Sequence, residues 1–323
     1  MYEQFYGLNE RPFDLTPNPR YLLRTPAHRE ALSTIEYGIT GRKGITLLVG
    51  EAGTGKTTVL RAALASLPQG CLVATLTNPS LTRTEFLEYA AWKLQLGDAA
   101  RTSKTHFLIE LQRVLEQHHA QGLPVALVVD EAHVLSDELL EEVRLLANHQ
   151  VDDASLLSVV LTGQPELAQR LNSTALRQLK QRIALRCALH PFTIQETAGY
   201  IAGRIRVAGG DTTRLFTREA VTVIHEASGG IARTISVICD NALISGFATG
   251  QRPVGREVLL EVCRDLDLLR PPTLVSATPP PAATPEPDPV AVIAESADPS
   301  LDRVRRRNGF GQFFRKLNSS AAS

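Results

Sequence analysis

The chain has 323 residues, enough for one large or two modest domains, and 43% of them are apolar, ample for a buried core. Lysine plus arginine equal aspartate plus glutamate at 34 each, so bulk charge carries no footprint of a nucleic-acid partner. No stretch approaches the roughly 20 apolar residues of a membrane helix, the opening from Met1 to Phe13 lacks the apolar segment of a secretory leader, and the four scattered cysteines (Cys71, Cys187, Cys239, Cys263) form no C-x-x-C pair. Buried reduced thiols in a cytoplasmic protein are therefore expected.

Residues 1–27 are rich in aromatics and prolines, among them Tyr2, Phe5, Tyr6, Phe13, Pro17, Pro19 and Tyr21. The prolines exclude a long helix. The segment reads as an extended arm, either packed on the main domain through its aromatics or lying in part beside a bound base. His28 to Ile39 has helical spacing, with Ala31, Leu32, Ile35 and Ile39 on one face.

The next stretch organises the rest. An apolar run, Ile45 to Val49, leads into Gly50-Glu51-Ala52-Gly53-Thr54-Gly55-Lys56-Thr57, and a helical segment follows from Thr58 to Leu67. Strand, glycine-rich turn and helix are the context of a phosphate-binding loop. The glycines let the backbone wrap so that successive N–H groups face phosphate oxygens, and the helix N-terminus adds partial positive charge. Lys56 is expected to reach the β- and γ-phosphates of ATP, and Thr57 to hold Mg²⁺.

Cys71 to Leu76 reads as a short buried strand, Thr84 to Leu96 as an amphipathic helix in which Trp92 packs, and His106 to His119 as a helix with Leu108, Leu111, Val114 and Leu115 apolar. Pro124 to Val129 is a continuous apolar run that suits a central parallel strand, and it ends in Asp130-Glu131. Asp130 is the second candidate Mg²⁺ ligand. Glu131 is the candidate base for an attacking water. Ser136 reads as an N-cap with Asp137 and Glu138 in the first turn.

Leu156 to Leu161 is a further buried strand, ending in Thr162-Gly163-Gln164. Neighbouring parallel strands end at one sheet edge, so a polar side chain here belongs beside the γ-phosphate. Gln164 is the first candidate and Thr162 the second, each with a plain strand cap as the competing reading. Leu176 to Ile183 is helical, and Ala184 to Leu189 is a fifth strand; Arg182 just before it is a candidate for stabilising transition-state charge on a neighbouring subunit's nucleotide.

From Pro191 the pattern is helical only: Ile194 to Ala208, Arg218 to Ala227, Ala232 to Gly246 and Arg256 to Leu268. Gly229-Gly230 precede the third helix, and Arg233 lies in its first turn, where a cation opposes the helix dipole. Nucleotide contact from a lid accounts for it; a surface arginine is the alternative. Residues 271–300 form a proline- and alanine-rich linker expected to be disordered, and residues 301–323 a basic, aromatic tail suited to anionic lipid, nucleic acid or an acidic partner.

Gly50 to Thr57, Asp130-Glu131, Gln164, Arg182 and Arg233 resemble the Walker A, Walker B, sensor 1, arginine finger and sensor 2 of an AAA+ ATPase. The opening Met1-Tyr2-Glu3, Phe5-Tyr6-Gly7-Leu8, Pro12-Phe13 and Thr16-Pro17-Asn18-Pro19-Arg20, with Val128 to Ala132 and Gly163 to Leu167, is similar to the ExeA-like general secretion pathway protein A family. The resemblance covers about residues 1–268. It implies an α/β fold: a P-loop three-layer parallel sheet followed by a small all-helical lid. The expected organisation is an N-terminal arm and helix (1–40), an ATPase core (41–190), the lid (191–270), the linker and the tail. Residues Gly50 to Thr58, Asp130 and Arg233 would bind nucleotide, with Glu131, Lys56, Arg182 and Gln164 catalytic.

The sequence departs from the family pattern at Ile231-Ala232-Arg233-Thr234-Ile235-Ser236 and at His133, for which no catalytic role is expected. Longer members carry a membrane helix and a peptidoglycan-binding domain that have no counterpart here, so a direct cell-wall role is not expected. The resemblance implies a Mg²⁺-dependent ATPase that forms homo-oligomers and assembles or remodels secretion or envelope-export machinery. It would be cytoplasmic, with peripheral contact to the inner membrane through the tail. A nucleotide-gated adaptor with little turnover and a DNA-linked ATPase of the transposition-helper type are the alternatives.

Overall fold

In the computed structural model, residues 1–77, 81–151 and 154–269 are described. The expected linker and tail therefore lie outside the described residues. The centre is a five-stranded parallel sheet: β1 (Ile45–Gly50), β2 (Leu72–Leu76), β3 (Val125–Val129), β6 (Leu157–Gly163) and β7 (Ile183–Leu189), in the order β2-β3-β6-β1-β7. A two-stranded hairpin, β4 (Gln150–Val151) with β5 (Ala154–Ser155), precedes β6 and has no clear signal in the sequence.

Strands β1, β3 and β6 are buried along their whole length. That is why they read as unbroken apolar runs: both faces are covered. Alternate residues feed two cores, as the strand period of two requires. Leu47, Val49, Leu127, Val129, Val159 and Leu161 pack on one face, under α4 (Arg83–Lys93), α6 (Lys104–Ala120) and α7 (Asp137–Leu146). Leu48, Ala126, Val128 and Val160 pack on the other, under α2 (Pro26–Thr40) and α3 (Lys56–Ala65). Each fully buried leucine or valine contributes about 1.5–3 kcal/mol by leaving water. Ser136 caps α7 as expected, its hydroxyl accepting from the Leu139 N–H.

Two packing expectations are corrected. Trp92 is half exposed, beside Tyr89 and under the Lys93 ammonium, so it does not serve the core. On α6 the buried residue of the first turn is Phe107, and Leu108 faces outward. Leu111, Val114 and Leu115 are buried as expected. Of the thiols, Cys187, Cys239 and Cys263 are buried and Cys71 is half-buried, all free.

The helical portion comprises α10 (Ile194–Val207), α11 (Arg218–Ser228), α12 (Ala232–Ala248) and α13 (Arg256–Asp265). Its core contains the start of the chain. Tyr2 and Tyr6 from the short helix α1 (Tyr2–Tyr6), with Leu8 and Phe13, are buried among Ile201, Ile205, Ile238 and Leu259. The Tyr6 hydroxyl donates to the Gln251 carbonyl at 3.2 Å, and Arg252 donates to the Phe5 carbonyl at 2.9 Å. The arm thus anchors in the last third of the chain, not against the parallel sheet, and runs from there to α2. Remaining short helices are α5 (Asp98–Thr102), α8 (Pro165–Arg170) and α9 (Arg177–Arg182). No helix among the described residues is long and apolar enough to cross a membrane.

Candidate nucleotide-binding site

The loop from Gly50 to Thr57 leaves the C-terminal end of β1 and enters α3 at Lys56. Gly53 and Gly55 adopt φ of +80° and +98°, which side chains other than glycine take only with strain. Lys56 is buried, and its Nζ donates to the carbonyls of Gly50 (2.8 Å) and Glu51 (3.0 Å). Burial lowers its pKa, and the carboxylates of Glu131, Asp130 and Glu166 oppose that shift. A buried ammonium facing a loop that binds anions is suited to a phosphate partner.

Asp130 is buried at the end of β3, in direct contact with the loop. Its Oδ2 accepts from the Thr57 hydroxyl at 2.9 Å, and its Oδ1 accepts from the Thr162 hydroxyl and from the Glu131 N–H. A hydroxyl and a carboxylate oxygen side by side are hard donors of the kind Mg²⁺ takes, with phosphate and water completing its shell. No cluster of three or more metal-ligating side chains exists among the described residues. A cation held partly by substrate needs none. Glu131, next in sequence, has φ +57° and lines the same pocket with a partly exposed carboxylate.

Thr162 and Gln164 face different partners. Thr162 touches Asp130, while the Gln164 amide turns to His133, its Nε2 lying 2.9 Å from the imidazole Nε2. Arg233 lines the pocket in the first turn of α12, and its backbone N–H donates to the Gly53 carbonyl at 3.0 Å. A Cβ on Gly53 would lie 2.8 Å from the Arg233 Cβ, so α12 rests directly on the loop. Arg182 is elsewhere. Ile183 pairs with Ile45, at the start of β1, whereas the loop leaves its far end. Six residues of strand put on the order of 20 Å between them. Arg182 is exposed there, away from the pocket in its own chain.

The arm supplies a wall that sequence reasoning left open. Asp14 to Asn18 and Tyr21 to Leu23 line the pocket together with His28, Phe192 and Tyr200. Its anchor is Arg204, buried between the rings of Tyr21 and Tyr200, donating to the Tyr200 and Ser236 hydroxyls and the Asp14 carbonyl. His28 meets the Thr25 hydroxyl at 2.7 Å, and its Nε2 faces Gly55. Burial lowers the His28 pKa, and the Thr54 backbone opposes the shift. Neither Arg204 nor His28 belongs to a local motif, so no signal in the sequence marks them.

Residues 39–171 match the family model described as AAA domain. The chain carries an AAA domain. Over 255 residues it is 43% identical to General secretion pathway protein A of Aeromonas hydrophila, a match covering 79% of this chain and 46% of that protein. The chain thus spans about half the length of this curated relative. Among solved structures it is similar to Cdc6p from Pyrobaculum aerophilum (TM-score 0.61, 17% identity, 79% of this chain and 70% of that one). It is also similar to the Aeropyrum pernix ORC2 protein (TM-score 0.58, 15% identity, 80% and 72%). These likenesses show the fold: a P-loop AAA+ sheet with a helical C-terminal portion.

Proposed function

We propose that this AAA domain is a Mg²⁺-dependent ATP hydrolase that works as an assembly of copies and uses turnover to assemble or remodel secretion or envelope-export machinery. The observation that carries the reading is the convergence of Lys56, Thr57, Asp130, Glu131 and Arg233 on one loop at one sheet edge. Lys56 and the loop N–H groups would bind the β- and γ-phosphates, Thr57 and Asp130 would hold Mg²⁺, and Arg233 would close on the nucleotide from α12. Mg²⁺ supplies charge neutralisation on the phosphate oxygens. The aromatic and apolar wall from the arm, Phe192 and Tyr200 suits the base of ATP.

Glu131 orients a water and takes its proton. The water oxygen forms a bond to the γ-phosphorus as the bond from that phosphorus to the β–γ bridging oxygen breaks, leaving ADP and phosphate. The protein's contribution is positioning and electrostatics rather than covalent chemistry. Arg182 sits at the edge opposite the loop, so it can serve only the nucleotide of an adjacent copy. The remodelled partner is taken to be a secretion or export protein on the strength of the Aeromonas relative, and cytoplasmic location with peripheral membrane contact follows from the same reading.

The test is ATP hydrolysis against protein concentration for wild type, Arg182→Ala and Lys56→Ala. Specific activity should rise with concentration, fall by about 10³-fold or more in Arg182→Ala, and vanish together with nucleotide binding in Lys56→Ala. Activity that is independent of concentration and survives the Arg182 change would remove the shared-site reading. Retained nucleotide affinity in Lys56→Ala would sink the site itself. Binding without turnover at every concentration would favour a nucleotide-gated adaptor.

A further inference from the structure

Glu131, His133 and Gln164 stand in line. Glu131, two residues past the end of β3, has a left-handed conformation (φ +57°, ψ +35°) and starts a single 3₁₀ turn, Ala132–Val134. That turn brings His133 back beneath the Glu131 side chain. The imidazole is largely enclosed, at 16% exposure, with Nδ1 3.4 Å from Glu131 Oε2 and Nε2 2.9 Å from the Gln164 amide nitrogen. His133 Nδ1 is buried and makes no hydrogen bond among the described residues, and the Glu131 carboxylate, 3.4 Å away, is the acceptor beside it.

The chemistry assigns the protons. An amide nitrogen can only donate, so His133 Nε2 accepts from Gln164, and the neutral ring carries its hydrogen on Nδ1, toward Glu131. The backbone of His133 is also held in place. Arg170 donates to the His133 carbonyl at 2.7 Å, and a Cβ on Gly163 would lie only 3.4 Å from the His133 backbone nitrogen. The far end of the line reaches the phosphate loop, because Gly163 pairs with Val49 and Gln164 therefore lies beside Gly50.

Building on the proposed role of Glu131 as base, we infer that His133 is a positioning residue that couples Gln164 to Glu131. Gln164 stands at the strand edge where a γ-phosphate is expected. A phosphate oxygen that attracts its amide withdraws the donor from His133 Nε2, and the change passes through the ring to the Nδ1–H that orients the carboxylate. ADP, lacking that phosphate, leaves the line intact. The residue touches no reacting atom; it acts through Glu131.

Two measurements on the full chain test this. The first is ¹⁵N imidazole NMR of histidine-labelled protein, with the His133 signal identified by its loss in His133→Asn. The nucleotide-free spectrum should show protonated Nδ1 and unprotonated Nε2. Mg²⁺ with AMPPNP should shift the signal, Mg²⁺ with ADP should not, and the AMPPNP shift should vanish in Gln164→Ala. Equal responses to the two nucleotides would overturn the coupling. The second is steady-state hydrolysis. His133→Ala should lower kcat between about 10- and 100-fold, the cost of a misplaced reacting group, with nucleotide affinity unchanged. Asparagine places an amide near the Nδ1 position and glutamine near Nε2, so Asn should restore most of the rate and Gln should not. The Ala variants of His133 and Gln164 should combine non-additively. Additive losses, or equal behaviour of Asn and Gln, would mean that His133 only packs. Glu131→Gln separates the two claims: if turnover survives that change, the base assignment fails and the relay with it. If turnover is lost there but kept in His133→Ala, only the relay fails.

Discussion

Gly53→Ala probes the contact between the phosphate loop and the helical portion. A side chain there takes φ of +80°, which costs about 1–2 kcal/mol. Its Cβ would lie 2.8 Å from the Arg233 Cβ and 2.9 Å from the Ile231 Cγ2, and relieving such overpacking costs a further 1–3 kcal/mol or so. The sum is about 2–5 kcal/mol, of which the overpacking share is avoided only if α12 lifts off the loop. Lifting moves Arg233 away from the nucleotide, so the penalty should surface in binding. A fluorescent ATP analogue should bind at least about fivefold more weakly, the equivalent of the overpacking share's lower bound of about 1 kcal/mol. Gly122→Ala is the internal control: its φ is +72°, but nothing lies within 4 Å of a Cβ there. It should lose only the backbone share in urea unfolding and bind nucleotide normally. Ile231→Ala in the Gly53→Ala background should recover part of the affinity by removing the Cγ2. If Gly53→Ala binds nucleotide within twofold of wild type and unfolds like Gly122→Ala, the docking argument is refuted.

The carboxylate of Glu142 is almost fully buried on α7 and is met by Arg83 at 2.5 Å and Lys104 at 2.7 Å, both of which keep contact with water. Replacing both cations by methionine strands a buried charge and should cost about 3–5 kcal/mol, whereas Glu142→Leu should cost clearly less because the cations resolvate; paired urea titrations decide. His28 gives a pH signature. Its folded pKa lies below the ordinary 6.5, so the unfolded chain binds the proton more tightly. The stability it contributes is complete above 6.5 and is lost as pH falls from there through the lower folded value. The difference in melting temperature between wild type and His28→Gln should therefore shrink over that window, and a pH-independent difference would remove His28 as a buried neutral contact.

Much of the site is legible in the chain because its parts are local. The phosphate loop is one contiguous turn, and two of its glycines, Gly53 and Gly55, stand where the backbone is left-handed. Asp130 and Glu131 follow an apolar run whose unbroken character comes from burial on both faces. Even Arg233 is marked, since a cation in the first turn of α12 opposes the dipole and calls for another partner. The strands and long helices are found within a few residues of their positions for the same reason: periodicity is a local property.

What the chain alone leaves open is set by contacts between distant residues. Whether the aromatic arm packs on the sheet or elsewhere depends on which apolar surface it meets, and Tyr2, Tyr6 and Phe13 meet the helices more than 180 residues away. That choice carries Asp14 to Leu23 across the pocket and gives Arg204 its place. The opposite edges occupied by Arg182 and the phosphate loop follow from the parallel pairing of β7 with β1, which no local pattern specifies. The sequence ranks Gln164 above Thr162 at the strand end without naming their contacts, and the structure gives Thr162 to Asp130 and Gln164 to His133. His133 shows the limit most plainly. It stands between two polar neighbours, Glu131 two residues away and Gln164 at the end of a different strand, and only the packed sheet brings all three into line.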